Sequence, residues 1–231
     1  MPMEGTSETD AQPRVILQPI AAPSILGLYG LAGATFMVGA QMAHWFGSSS
    51  STLLLIPFAA LFGGLAQFLA GMWAYKARDG VATAVHGMWG AFWMAFGGLG
   101  FFISMGRGPS PTGALVSPEL GYWFIVLAAI TWVCMGAAAA ENKSLVTTLA
   151  FLAAGSTITA IALLVGVEGL VILAGYLFII SAIAAWYTGS ALMLNEAFGR
   201  DVWSLGKSTQ VREMPRITAP IGEPGVIRGQ I

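Results

Sequence analysis

Five long windows of this chain hold no Asp, Glu, Lys or Arg, and they decide what it can fold into. They run from Val15 to Tyr75, Gly80 to Gly106, Leu120 to Ala140, Ser144 to Val167 and Gly169 to Asn195. A helix needs about 20 apolar residues to cross the hydrocarbon core of a bilayer. Four windows fit one crossing each. The first is long enough for two and is broken by Gly47-Ser48-Ser49-Ser50-Ser51. Six spans follow, predicted near Ser24–Trp45, Leu53–Tyr75, Val81–Ile103, Leu120–Ala140, Ser144–Val165 and Leu170–Leu194. Only 9% of the 231 residues are charged, against about 25% in a soluble domain. The predicted fold class is therefore an all-α integral membrane protein, a six-transmembrane-helix bundle. The short alternating segments of a β-barrel, about ten residues each, are not the pattern seen.

An even number of spans puts both termini on one side. On that side lie Arg14, Lys76, Arg78, Lys143, Arg200, Lys207, Arg212, Arg216 and Arg228, while the opposite side has Arg107. The positive-inside rule then predicts a multi-pass plasma-membrane protein with both termini in the cytoplasm. Residues 1–21 form a cytoplasmic N-terminal segment, 22–195 the membrane domain and 196–231 a cytoplasmic tail. Met1 to Pro19 is polar and acidic, without the basic-then-apolar start of a cleaved signal peptide, so the first span is expected to direct insertion. The Gly- and Pro-rich loop Ser104–Glu119 is expected outside, joining two three-helix halves. The tail from Arg200 to Ile231 mixes Pro, Gly and charge, as a mobile segment or partner-dependent arm does.

Small residues recur along the first three spans: Gly27, Gly30 and Gly33, then Gly63, Gly64 and Gly71, then Gly87, Gly90, Gly97, Gly98 and Gly100. In lipid such residues let helix backbones approach closely, which predicts a tight bundle; some of them could instead leave room for a narrow pore. Trp45, Trp73, Tyr75, Tyr122 and Trp123 fall near span ends, where amphipathic rings favour the interface. Cys134 is the lone cysteine, within the fourth span, and reads as a packing residue.

A proton pump or sodium symporter usually buries a charged side chain along its path, and these spans contain none. Neutral polar groups remain. Most of the hydroxyls are expected to bond to the preceding turn of their own helix. Gln67, near mid-span, has an amide with four hydrogen-bonding positions and must face either a neighbouring helix or a wet cavity. His86 lies one turn inside the third span, on a stripe with Trp89, Gly90, Trp93 and Phe96. Its imidazole is either satisfied by a nearby carbonyl or faces a pore, where it would titrate near neutrality. His44, beside Trp45, reads as interfacial. There is no HExxH, no pair of intramembrane carboxylates and no GxSxG elbow. Catalytic residues, metal ligands and cofactors are therefore not predicted, and scattered basic residues give nucleic-acid binding no support. Transport is the expectation.

The run Gly63-Gly64-Leu65-Ala66-Gln67-Phe68-Leu69-Ala70-Gly71-Met72-Trp73, then Tyr75-Lys76 and Gly90-Ala91-Phe92-Trp93, resembles the signature of the acetate uptake transporter family, the succinate–acetate permeases. Ala22-Pro23-Ser24-Ile25-Leu26-Gly27-Leu28 is similar to its opening NPAPLGL motif, and Asn195-Glu196-Ala197-Phe198-Gly199-Arg200 to its ending. The resemblance covers Ala22 to Lys207. It implies a homohexamer in which each protomer has its own narrow pore for small carboxylates such as acetate and succinate. It also implies a constriction at Leu31 and Trp89, where the family has Phe and Tyr, with a third contributor on the fifth helix somewhere near Ala154–Ile158, its register not fixed. Gln67 is the family's motif Gln. The chain departs from the family at Ala22, Ile25, Ala74, Asp79-Gly80 and His86. With no charge in the spans, a carboxylate would rely on helix N-termini, on backbone N–H groups freed near Pro23, and on Gln67, Thr83 and His86 along its path. A channel for small neutral solutes such as urea or amides, and a non-transporting membrane scaffold, are the alternatives that composition leaves open.

Overall fold

The computed structural model describes residues 20–47, 51–106 and 117–207. Among them are six helices long and apolar enough to cross a membrane. Helix α1 is Ser24–Met42. Helix α2 is a composite of Ser51–Ala59, a π-helical stretch Ala60–Ala66, and Gln67–Ala77. Then come α3 (Gly80–Ser104), α4 (Pro118–Ala138), α5 (Lys143–Val165) and α6 (Glu168–Phe198). Each helix packs on its neighbour in sequence, and α6 returns to pack along α1, which closes the six into a ring. The large apolar residues left exposed, such as Phe58, Phe62, Val133 and Ile183, are what a lipid-facing or subunit-facing surface requires.

Local chemistry explains the helix ends. The side chains of Asp79, Ser117 and Asn142 accept from the N–H of Ala82, Leu120 and Leu145, capping α3, α4 and α5. Ser117 followed by Pro118 starts α4 two residues before the predicted Leu120, since Pro suits the first helical position. The chain turns at Ala43–His44, so α1 stops at Met42 and not at Trp45. α6 is longer than predicted at both ends. Glu168 is favourable at the positive helix N-terminus, and the helix continues past Asn195 until Gly199 takes a left-handed conformation.

The seams between helices run through small residues, as expected. A Cβ on Gly71 would lie 2.6 Å from the Gly87 nitrogen, and one on Gly90 would lie 2.6 Å from the Phe68 nitrogen, so α2 and α3 touch backbone to backbone. Gly39 and Gly175 do the same for α1 and α6, a pair that the glycine pattern of the first three spans did not suggest. Gly98 has nothing within 4 Å of its Cβ position.

The beginning of the tail, expected from Arg200 on to be a mobile segment or a partner-dependent arm, is held by hydrogen bonds. Asn195 Oδ1 accepts from the N–H of Val202 and Trp203, and its Nδ2 donates to the Trp203 carbonyl. The N–H groups of Lys143 and Ser144, orphaned at the start of α5, donate to the carbonyls of Gly206 and Leu205. Trp203 stacks on Tyr187 at 5.3 Å, and Tyr187 donates to the Ser204 carbonyl. Residues 200–207 thus pack against the ends of α5 and α6. The rest of the tail, the segment before Ile20 and most of the Ser104–Glu119 loop lie outside the described residues.

Candidate permeation site

Helix α1 presents a narrow face of small residues to α2 and α3. A Cβ at Gly27 would fall 2.5–2.6 Å from three ring atoms of His86, so the missing side chain is where the imidazole sits. One turn on, Gly30 faces the Phe62 carbonyl and the Gln67 side chain. A further turn on, Ala34 meets Gly63 and the Trp93 ring at the same spot. His86, Gln67 and Trp93 therefore follow one another along α1.

The π-helical stretch gives α2 this geometry. It follows Pro57, which has no N–H for the ladder, and contains Gly63-Gly64. A π turn widens the helix and re-aims the side chains after it, and such turns recur at functional sites. Here Gln67 is the first residue past the stretch and is 0% exposed.

These groups share an uncommon property. The Gln67 amide oxygen and nitrogen, His86 Nδ1, Trp93 Nε1 and Thr35 Oγ1 are all buried without a hydrogen-bond partner among the described residues. An amide or hydroxyl left this way in an apolar interior costs about 2–7 kcal/mol. Gln67 faces α1 at Gly30, yet its amide finds no hydrogen-bond partner there among the described residues. Nor is His86 Nδ1 satisfied by a carbonyl.

Leu31 and Trp89, the expected constriction, are both fully packed in the core. Trp89 is pinned, since its Nε1 donates to Thr131 Oγ1 at 3.0 Å and that hydroxyl donates to the Leu127 carbonyl. Around it Phe92, Trp93, Phe96, Phe124 and Phe178 pack with centroids 5.3–6.5 Å apart. In the fifth-helix window Ala154–Ile158, the buried Gly155 brings no bulk of its own. A Cβ on Gly155 would come 2.7 Å from the Phe178 ring, so α5 yields there to an aromatic from α6. Thr83 is not brought into the file of unpartnered groups. It sits half-buried in the first turn of α3, with its hydroxyl donating to the Asp79 carbonyl at 2.7 Å.

Sequence reasoning did not single out Thr35, Phe124 and Phe178, which line a small cavity beside Trp89 and Trp93. Thr35 lies one turn from Leu31 and Trp93 one turn from Trp89, a spacing that could have placed both. Nothing in the pattern of α4 or α6 singles out the two phenylalanines.

With this arrangement in view, similarity to known proteins becomes informative. A family model described as GPR1/FUN34/yaaH family matches residues 4–199. The chain belongs to the GPR1/FUN34/yaaH family. One relative is the succinate-acetate/proton symporter SatP of Escherichia coli (strain K12), 25% identical over 192 residues, which are 82% of this chain and 97% of SatP. An uncharacterized protein of Methanothermobacter thermautotrophicus is 29% identical over 197 residues, 81% of this chain and 92% of its own. Among solved structures, the bacterial acetate channel SatP matches with a TM-score of 0.74 and 22% identity, covering 81% of this chain and 100% of that one. The ring of six helices in this GPR1/FUN34/yaaH family protein is thus a known membrane fold.

Proposed function

We propose that this chain carries small carboxylates such as acetate and succinate across the plasma membrane, along a path through its own helix ring. What carries the reading is the file of buried, unpartnered polar groups along α1, in a protein that aligns with nearly all of a succinate-acetate/proton symporter. Near neutral pH such acids are anions, because a carboxyl of this kind has a pKa of about 4. Dehydrating the anion is costly, and the spans hold no Lys or Arg to compensate. Gln67 offers two N–H donors in their place. A neutral donor binds an anion weakly enough to release it, as permeation requires.

Leu31 and Trp89 form the constriction that blocks free flow of water and ions. The proton, where uptake is proton-linked, rides on the substrate or uses His86, which packs on Gly27 just before the Gln67 level. Thr83 belongs to the approach, one turn before His86. Both termini face the cytoplasm, by the imbalance of Lys and Arg. The exposed apolar faces suit assembly into a homohexamer with one path per protomer. The reading assigns no catalytic role.

Flux into liposomes tests this. Labelled acetate should enter, and succinate and propionate should compete; inhibition by urea alone would reject the carboxylate reading in favour of a neutral-solute channel. His86→Phe tests the proton route: an unaltered rate and pH profile of acetate uptake would leave the proton on the substrate.

A further inference from the structure

A groove of about 600 Å³ lies away from the permeation path, where α5 begins and α6 nears its end. Along α6 it is lined by Ile180, Ile183 and Ala184, with Tyr187 one turn further on. Ile180 and Ile183 are exposed while their neighbours Ser181 and Ala182 are buried, so the groove opens on the outer face of the ring. Lys143 and Thr147 from the first turns of α5 border it, as do Ser204 and Gly206 of the returning chain.

The groove changes character along its length. Ile180 lies nearer the middle of α6, and Tyr187 lies two turns closer to its end. At that end Trp203 stacks on Tyr187 and meets Trp186 edge-on at 5.9 Å, a cluster of the kind that favours the membrane–water interface. An apolar floor therefore runs from hydrocarbon depth up to headgroup depth.

Two lysines stand at the headgroup end, and they differ. Lys207 pairs with Asp201 at 2.9 Å. Lys143 makes no ion pair among the described residues. Its stem is nonetheless held, since Cβ, Cγ and Cδ lie 3.1–3.4 Å from where a Cβ on Gly206 would be. A positioned, unpaired ammonium favours an anion. The hydroxyls beside it are already committed as donors: Thr147 donates to the Lys143 carbonyl and Tyr187 to the Ser204 carbonyl. Their oxygens can still accept from a ligand that itself carries O–H groups.

We infer that this groove binds one anionic phospholipid of the cytoplasmic leaflet. The acyl chain lies on Ile180 and Ile183, the phosphate pairs with Lys143, and headgroup hydroxyls donate to Thr147 and Tyr187. Anionic lipids enrich that leaflet, and the excess of Lys and Arg at this end of the bundle suits it. The bound lipid touches α5, α6 and residues 204–206 together, so it fastens the start of the tail to the bundle. The site is independent of which solute the ring passes.

Native mass spectrometry of the full chain tests this, with phosphatidylglycerol and phosphatidylcholine of matched chains supplied in equal amounts. Phosphatidylglycerol should be retained about fivefold over phosphatidylcholine, the effect of one lysine near an anionic headgroup. Lys143→Gln should bring that ratio close to one, while Lys143→Arg and Lys207→Gln should keep it. Equal retention of the two lipids by the unaltered protein overturns the inference, as does a preference that survives Lys143→Gln. Glycerol phosphate, which has no chains, should not compete; if it does, the site takes a soluble anion and not a lipid. Ile183→Cys in a Cys134→Ala background should stay unlinked under oxidation in membranes. A disulfide between copies there would put a second protomer on the groove and reject the lipid.

Discussion

The two halves of this membrane domain treat buried polar groups in opposite ways. In α4 to α6 each buried hydroxyl among the described residues has a partner. Thr131, Thr148, Ser156, Thr159 and Thr188 bond back within their helices, Ser181 donates to the Thr148 carbonyl, and Ser190 pairs with Tyr29 of α1. In α1 to α3 the buried Thr35, Gln67, His86 and Trp93 each keep an atom unpartnered. The first half also holds the π-helical stretch, while α4 to α6 are regular. Unpaired groups of this kind are stability given up, and proteins retain them where they bind something. The second half reads as scaffold and the first as the working side.

The comparison breaks most visibly at the seam that holds the working side together. Gly71→Leu would drive a side chain into the Gly87 backbone, which has no flexible end to give way. Expected is loss of most monodisperse protein in detergent size-exclusion chromatography. Gly98→Ala, where nothing lies within 4 Å, should elute as the parent does. If both variants behave alike, close α2–α3 contact is not what holds this half.

The next effect separates stability from transport. Gln67→Leu replaces an unsatisfied amide by an apolar group of similar size, so no hydrogen bond is lost and a desolvation cost is relieved. The apparent Tm should stay level or rise, while acetate uptake falls about tenfold or more. A drop in Tm with uptake intact would mean that Gln67 is a structural group and the halves do not differ as described.

The fold was legible because charge is so costly in lipid. The charge-free windows located all six helices to within a few residues, and the misses at Met42, Pro118 and Phe198 came from caps and turns that hydropathy does not see. The bonds that hold residues 200–207 were not legible, because Pro, Gly and charge mark a loop but say nothing of whether its backbone has partners. The site was partly legible. Gln67 and His86 stand out as polar residues in apolar runs, and Trp89 and Leu31 came through resemblance to a family. Thr35 is marked in sequence by nothing but its place one turn past Leu31, and in the structure the absence of its back-bond distinguishes it. Phe124 and Phe178 reach the site through the ring closure of α4 and α6, a long-range fact that no local spacing encodes.

The smallest effect probes the scaffold. Ser181 Oγ donates across the α5–α6 interface to the Thr148 carbonyl at 2.8 Å. Hydrogen bonds between helices in membranes are worth about 0.6 kcal/mol on average, because the unfolded chain in the bilayer also finds partners. Ser181→Ala should therefore lower stability by about that amount in a denaturation titration, with the KM for acetate unchanged. The sign matters more than the size: here removing a polar group should destabilise, whereas at Gln67 it should not. A KM shift in Ser181→Ala would mean that a hydrogen bond of the scaffold tunes transport, and would end the division of labour.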